Sequence, residues 1–267
     1  MARKKQQQKP APTDRNFAEL THKFKNNIYG TNKGKIREAV LKRDLSAQVD
    51  WLTQSSGKRI LDVGGGQGQL ALFLASLGHH VTVIDISEEM LELAKTRAHE
   101  AGLNDLLHFI HAPLQALDTL HLGQFDLVLC HAVLEWLVEQ QSALMLLKSQ
   151  LSETGLLSLM YFNHEAHLMA NMVYGNFDYV QKGLKVKQKV GLSPNKPISE
   201  TDMATWLDKA KLSVMQKTGV RCFHDYLREL SKADEDFDAL LALELKYNRQ
   251  EPYASLGRYT HLMLKKA

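Results

Sequence analysis

A chain of 267 residues with 44% hydrophobic content can bury a core of domain size, and no stretch approaches the ~20 apolar residues of a membrane span. The start, Met1-Ala-Arg-Lys-Lys-Gln-Gln-Gln-Lys9, lacks a leader's apolar run, and Cys130 and Cys222 form neither a disulfide framework nor, with the 12 histidines, a metal-ligand spacing. A soluble protein of the reducing cytoplasm, with no metal and no membrane contact, is expected; the net charge of +3 says nothing decisive about partners.

Residues 1–16 are Gln/Lys-rich and carry Pro10 and Pro12, a composition that cannot repay the entropy of ordering, so they read as a flexible basic tail. Residues 17–267 read as one domain. It opens with a helical segment, 17–57, in which Ser46 to Leu52 has helical spacing. Lys58–Val63 reads as a buried strand running into Gly64-Gly-Gly-Gln-Gly68, followed by a helix from Gln69 to Leu77 closed by Gly78. His80–Asp85 is a second strand, and Ser87 with Glu88 and Glu89 caps a helix running toward Gly102. Leu107–His111 and Phe125–Cys130 are strands, Ala132–Leu151 a helix, and Gly155–Phe162 a fifth strand. The rhythm then breaks over an insert, 163–198, of the kind that serves as a lid or binding element. A helix Ser199–Ala210, a strand Leu212–Arg221, a helix from about Asp234 to Tyr247 and a strand Tyr259–Leu264 complete the pattern. Alternation of this kind predicts an α/β fold, Rossmann-like, with a mostly parallel seven-stranded sheet and helices on both faces.

The chemistry concentrates at Leu61-Asp-Val-Gly-Gly-Gly-Gln-Gly68, where glycines let the backbone turn tightly and approach a ligand with no Cβ in the way. The register Gly66-x-Gly68-x-x-Ala71 also fits a dinucleotide fingerprint, but Asp62 beside the turn suits an amino-acid ammonium and would repel a pyrophosphate. That points to S-adenosylmethionine, cradled by Asp62, Gly64, Gly65 and Gly66. Asp85, ending the second strand, is placed to accept both hydroxyls of a ribose. Leu114 and Gln115, soon after the third strand, are placed to meet the adenine, and His131, at the end of the fourth, faces the reactive half of the cofactor. Charge is unevenly spread. Residues 1–10 hold four cations and no acid, 21–43 seven Lys/Arg against Glu38 alone, and 182–196 five lysines and no acid, which together lean toward a polyanion.

Several blocks resemble the bacterial tRNA 5-carboxymethoxyuridine methyltransferase family, a branch of the class I S-adenosylmethionine-dependent methyltransferases. They are Asn26-Asn-Ile-Tyr-Gly-Thr31 with Lys33, Gly34 and Arg37, the glycine turn, Phe109-Ile-His111, His131-Ala-Val-Leu-Glu-Trp136, Gly175-Asn-Phe-Asp-Tyr-Val180, Lys217–Arg221 with Phe223–Arg228, Arg249–Tyr253, and Gly257-Arg-Tyr259. The resemblance runs from about Asp14 to the C-terminus. It implies methyl transfer to the carboxylate of 5-carboxymethoxyuridine at the wobble position, in the anticodon region of tRNA, and cofactor contacts from Arg37, Gly64, Gly65, Asp85, Leu114, Gln115 and His131. Arg37 would pair the carboxylate of the methionine moiety. A carboxylate is already ionised at neutral pH, so the resemblance asks for no catalytic acid or base.

Holding that carboxylate wants donors, and arginine is the natural one. Arg221, His224, Arg228, Arg258 and Tyr259 are the candidates in the C-terminal blocks, with Tyr226 among them, and Tyr179 and Tyr174 in the insert offer base-stacking surfaces. A methyltransferase acting on a quinone precursor or other small acid, a nicotinamide-dependent dehydrogenase and a catalytically silent RNA-binding protein stay open as alternatives. Oligomeric state is not readable.

Overall fold

In the computed structural model, which describes residues 31–184 and 196–267, the apolar runs form the interior of one sheet because both its faces are covered. The strands are β1 (Arg59–Val63), β2 (His80–Asp85), β3 (Leu107–His111), β4 (Phe125–His131), β5 (Leu151–Phe162), β6 (Leu212–Val220) and β7 (Tyr259–Lys266). Their order is β3-β2-β1-β4-β5-β7-β6, with β1 to β5 parallel and β7 antiparallel to both β5 and β6.

The principal helices, in chain order, are α1 (Asn32–Gln48), α2 (Gln69–Ser76), α3 (Glu88–Glu100), α4 (Gln140–Ser149), α5 (His164–Val173), α6 (Phe177–Gln181), α7 (Glu200–Ala210), α8 (Lys232–Glu235), α9 (Phe237–Tyr247) and α10 (Tyr253–Leu256). On one face Leu144 and Leu147 of α4 and Met203 and Leu207 of α7 pack on Val128, Cys130 and Leu157. On the other, Leu45 of α1, Leu74 of α2 and Leu91 of α3 cover Ile60, Val83, Leu129 and Met263. A third cluster joins Ile36, Val40 and Leu41 of α1 to Val220, Ala233 and Leu240. Ser87 caps α3 as its sequence position predicts, accepting from the Met90 amide at 3.3 Å.

Four expectations are corrected. The helix expected from Ala132 to Leu151 is a 3-10 turn, Leu134–Trp136, followed only at Gln140 by α4. Ala132 takes φ +60° and Leu137 is extended, and the Gln140 side chain donates to the carbonyls of Leu134 and Lys196 at 3.0 Å, so tertiary contacts break the helix. The strand expected to begin at Gly155 starts at Leu151. The spacing at Ser46–Leu52 falls at the end of α1, whose last helical residue is Gln48. The insert is not irregular throughout: Asn163 caps α5 by accepting from the Glu165 amide at 2.9 Å, and α6 follows. Sheet order reverses between β1 and β4, so the crevice beyond their carboxyl ends is the natural ligand site.

Candidate functional site

The turn after β1 is held by its own backbone. The Gly64 amide donates to the Ile84 carbonyl at 2.7 Å, and Gly64, Gly66 and Gly68 take φ of +71°, +54° and +72°. At Gly65 the demand is space: a Cβ there would lie 2.7 Å from Val83 Cγ1 and 2.8 Å from Asp62 Oδ2. Only bare backbone fits against the Asp62 carboxylate, as a cradle for a small polar ligand requires. Asp85, at the end of β2, accepts from the Gly66 amide through Oδ2 and the Ser87 amide through Oδ1, each at 2.8 Å. A carboxylate retains further lone pairs after two such bonds, so it can still receive a diol.

The two acids differ in environment. Burial, with the charge of Asp85 adding to it, pushes Asp62 up to about 7. Burial also raises Asp85, against the opposing pull of the Ser87 and Gly66 amides. A carboxyl poised near neutrality with a second acid behind it favours a cationic ligand and disfavours a pyrophosphate.

Asp62, Gly64, Gly65, Arg37 and His131 line one cleft, to which Gly34, Gln69 and Leu70 also contribute. Arg37 reaches it from α1, and His131 from the end of β4. Burial, with the Arg37 charge nearby, lowers His131 well below its ordinary pKa, so its ring is neutral. Leu114 and Gln115 sit on a 3-10 turn after β3, Leu114 buried and Gln115 exposed; this turn follows Ala112, whose amide donates to the Asp85 carbonyl at 3.1 Å.

A second constellation stands at the carboxyl end of β5 and the neighbouring ends of β6 and β7. Arg221 lies over the Tyr259 ring at 5.4 Å, Tyr259 meets Phe162 with centroids 5.7 Å apart, and Arg258 lies over Phe162 at 4.7 Å. The stack thus has an arginine at each end. Tyr259 is raised by burial, with Arg221, Arg37 and Arg258 pulling the other way. Arg221 is a non-glycine residue at φ +62°, and its Nε lies 2.8 Å from Asp225 Oδ2. Buried Glu244 supports this conformation by accepting from the amides of Cys222, Phe223 and His224 at 2.7, 3.0 and 3.0 Å.

Other sequence candidates fall outside the stack. His224 is buried, and Tyr226 donates to the Leu256 carbonyl at 3.0 Å, clamping the loop to the end of α10. Arg228 is exposed. Tyr179 is half-buried with its hydroxyl 3.3 Å from His167 Nε2, and Tyr174 is exposed and donates to the Asp225 carbonyl at 3.3 Å. Of the basic runs, residues 1–10, the first part of 21–43, and Lys185, Lys187 and Lys189 lie outside the described residues.

Sequence reasoning missed Glu244, Phe162 and the buried group Asp44, Ser158 and His261. Nothing local marks these residues; only their partners, brought from distant strands and helices, give them a role. Among the described residues no cluster of three or more His, Cys, Asp or Glu could hold a metal, and no helix is long and apolar enough to cross a membrane.

Comparison with known proteins agrees with this architecture. A family described as a methyltransferase domain matches residues 54–219. The structure resembles magnesium protoporphyrin IX methyltransferase from Synechocystis PCC 6803, with a TM-score of 0.63, 17% identity and coverage of 94% of this chain and 96% of that one. It also resembles an S-adenosylmethionine-dependent methyltransferase from Mesorhizobium loti, with a TM-score of 0.56, 17% identity and coverage of 88% and 100%. Ubiquinone biosynthesis O-methyltransferase of Psychrobacter arcticus is 44% identical, but over only 30% of this chain and 31% of that protein. The tRNA 5-carboxymethoxyuridine methyltransferase of Escherichia coli K12 is 46% identical over 95% of this chain and 97% of its own length. Identity of that degree over nearly the whole of both chains shows that the chain belongs to the tRNA 5-carboxymethoxyuridine methyltransferase family.

Proposed function

We propose that the chain transfers the methyl group of S-adenosylmethionine to the carboxylate of 5-carboxymethoxyuridine at the wobble position of the tRNA anticodon, forming the methyl ester. The observation that carries this reading is an arginine-ended stack at the carboxyl end of β5, next in the sheet to β4, whose His131 lines the cleft that contains Asp62: cations for an anionic acceptor stand on the strand beside acids for a cationic donor.

When bound, S-adenosylmethionine supplies an electrophilic methyl on a sulfonium. Asp62 faces the ammonium of its amino-acid end with the bare backbone of Gly64, Gly65 and Gly66 alongside, Arg37 pairs its carboxylate, and Asp85 accepts the ribose hydroxyls. Leu114 packs on the adenine and Gln115 meets its edge. Arg221, Arg258 and Tyr259 are the candidate donors to the substrate carboxylate, and an arginine supplies the charge-assisted pair. Arg228, Tyr174 and Tyr179 offer contacts to the surrounding nucleotides, and buried His224 holds the Arg221 loop. No residue need remove a proton, because a carboxyl with a pKa of ~4 is ionised at neutral pH. What the chain contributes is approach, alignment and the removal of water from two opposite charges that the reaction cancels.

The reading is tested by incubating the protein with labelled S-adenosylmethionine and bulk tRNA from a strain lacking it, followed by nucleoside analysis. Label in the methyl ester of 5-carboxymethoxyuridine is expected. Label absent from tRNA but present on a small carboxylic acid or a quinone precursor would overturn it.

A further inference from the structure

Behind His131 a line of buried polar side chains crosses three strands beneath α1. Asp44 Oδ2 is 2.8 Å from His261 Nδ1, His261 Nε2 is 2.8 Å from Ser158 Oγ, and Ser158 Oγ is 2.9 Å from His131 Nε2. Asp44, His261 and Ser158 are wholly excluded from solvent. Strand register makes the line possible: His131 on β4 and His261 on β7 align with the same residue of β5, Met160, from its two sides. Ser158, two positions earlier on β5, presents its side chain to that same face and bridges the rings, which meet edge-on with centroids 5.7 Å apart.

One carboxylate sets the direction of every hydrogen bond. Burial alone would raise the pKa of Asp44, but His261, Thr218 and Arg43 hold it well below the usual carboxylate range. Arg43 Nη2 and Arg249 Nη2 also lie 2.8 and 2.7 Å from its Oδ1. An ionised Asp44 only accepts, so His261 Nδ1 donates to it. Arg43 and Arg249 already answer the Asp44 charge, so a further buried cation at His261 would stand uncompensated; in the uncharged ring Nε2 is the acceptor and takes the Ser158 proton. Ser158, its proton committed, accepts from His131 Nε2–H, and His131 Nδ1 is left with a lone pair.

We propose that Asp44, His261 and Ser158 are positioning residues that fix His131 as the neutral Nε2–H tautomer, holding an uncharged ring with an acceptor nitrogen at the cleft. The proposal rests on the functional reading above only for the identity of the cofactor. An imidazolium there would repel a sulfonium and an ammonium, and a ring free to exchange tautomers would present an N–H to them. The same line tethers α1 through Asp44, two turns along that helix from Arg37, so the helix and the β4 terminus that line the cleft are held in one register.

Long-range proton–nitrogen NMR on histidine-labelled, ligand-free protein at pH 7 reads the tautomer directly. Wild type should show His131 protonated at Nε2 and bare at Nδ1; Nδ1–H or imidazolium signals in the wild type would overturn the proposal without any variant. Ser158→Ala should convert the ring to a mixture of tautomers and weaken S-adenosylmethionine binding by about tenfold, the effect of one hydrogen bond of ordinary strength, and Ser158→Thr should restore both. A folded Ser158→Ala protein with the wild-type tautomer and wild-type affinity would also overturn it. Neither readout uses tRNA: the first is taken without ligand and the second with the cofactor alone. A protein that shows the fixed tautomer yet leaves tRNA unmethylated would sink the proposed substrate and leave this inference standing.

Discussion

The Arg258 amide donates to the Arg221 carbonyl at 3.2 Å, so the two arginines of the stack are joined through their backbones as well as through the rings between them. The joint is braced on both sides. Gly257 comes so close to Gly219 and Val220 that a Cβ would lie 2.5 Å from the Val220 nitrogen, and Asn163, whose amide donates to the Arg258 carbonyl at 3.2 Å, secures it to the end of β5. Two long cationic side chains are thereby launched from one rigid corner, an arrangement that would lower the entropy lost on binding an anion.

Arg221→Gln or Arg258→Gln should therefore lower kcat/KM for modified tRNA by roughly tenfold to a hundredfold, the loss of one charge-assisted contact of about 1.5–3 kcal/mol. Cofactor affinity, measured by calorimetry, should stay at the wild-type value. If both folded variants methylate subsaturating tRNA at the wild-type rate, neither arginine holds the carboxylate.

Gly65→Ala should separate space from flexibility. Its methyl would meet Val83 and Asp62 at distances no real Cβ tolerates, so overpacking of about 1–3 kcal/mol and a large loss of cofactor affinity are expected together. Gly102→Ala is the control: at φ +66° it carries backbone strain, but nothing lies within 4 Å of its added methyl. It should lower the melting temperature and leave binding untouched. Equal affinities in the two variants would show that the turn does not cradle the ligand.

Asp85→Ala removes the acceptor of two backbone amides and the proposed acceptor of the ribose, so it should lose both stability and affinity, each by about 1–3 kcal/mol. Asp85→Asn keeps one acceptor oxygen. It should recover melting temperature more fully than affinity, and an Asn variant that recovers both equally would remove the charge from the argument.

Legibility followed locality. β2 and β3 have the bounds read from the sequence, because each is a short apolar run flanked by polar or turn residues. The glycine turn and Asp62 lie within one strand-turn-helix unit and Asp85 ends the next strand, so their placement beside one another could be read from local spacing. The segment after His131 was not, since Leu134, Glu135 and Trp136 read as helix formers while the residue that interrupts them is Ala132 at φ +60°, fixed by tertiary packing. Asp44 and His261 are separated by 217 residues, and Glu244 acts on amides about 20 residues before it. Their roles exist only after the sheet has assembled, and no periodicity carries them.

Asp62 gives the site a pH dependence whose sign can be worked out. Its pKa in the fold, about 7, lies above the ordinary 3.8, so between these values the folded protein keeps a proton that the unfolded chain has released. Its contribution to stability is therefore largest in acid and is lost as pH rises from about 4 to about 7, a total on the order of 4 kcal/mol if the shift is fully expressed. Glu135, pushed up to about 8 by burial, acts in the same direction, so the melting temperature of wild type alone does not isolate Asp62. Asp62→Asn does: the ligand-free variant should gain stability relative to wild type at pH 8 and show a smaller decline between pH 5 and pH 8. Binding supplies the complementary measurement. An ammonium placed against Asp62 stabilises the ionised form and expels the proton, so cofactor binding near pH 6.5 should release a fraction of a proton, read by calorimetry in buffers of different ionisation enthalpy. That release should vanish in Asp62→Asn and fade in wild type by pH 8.5, where the carboxyl is already ionised. Proton release that persists unchanged in the variant would assign the titrating group elsewhere, and a wild type that binds with no proton exchange at pH 6.5 would show that Asp62 does not face the ammonium.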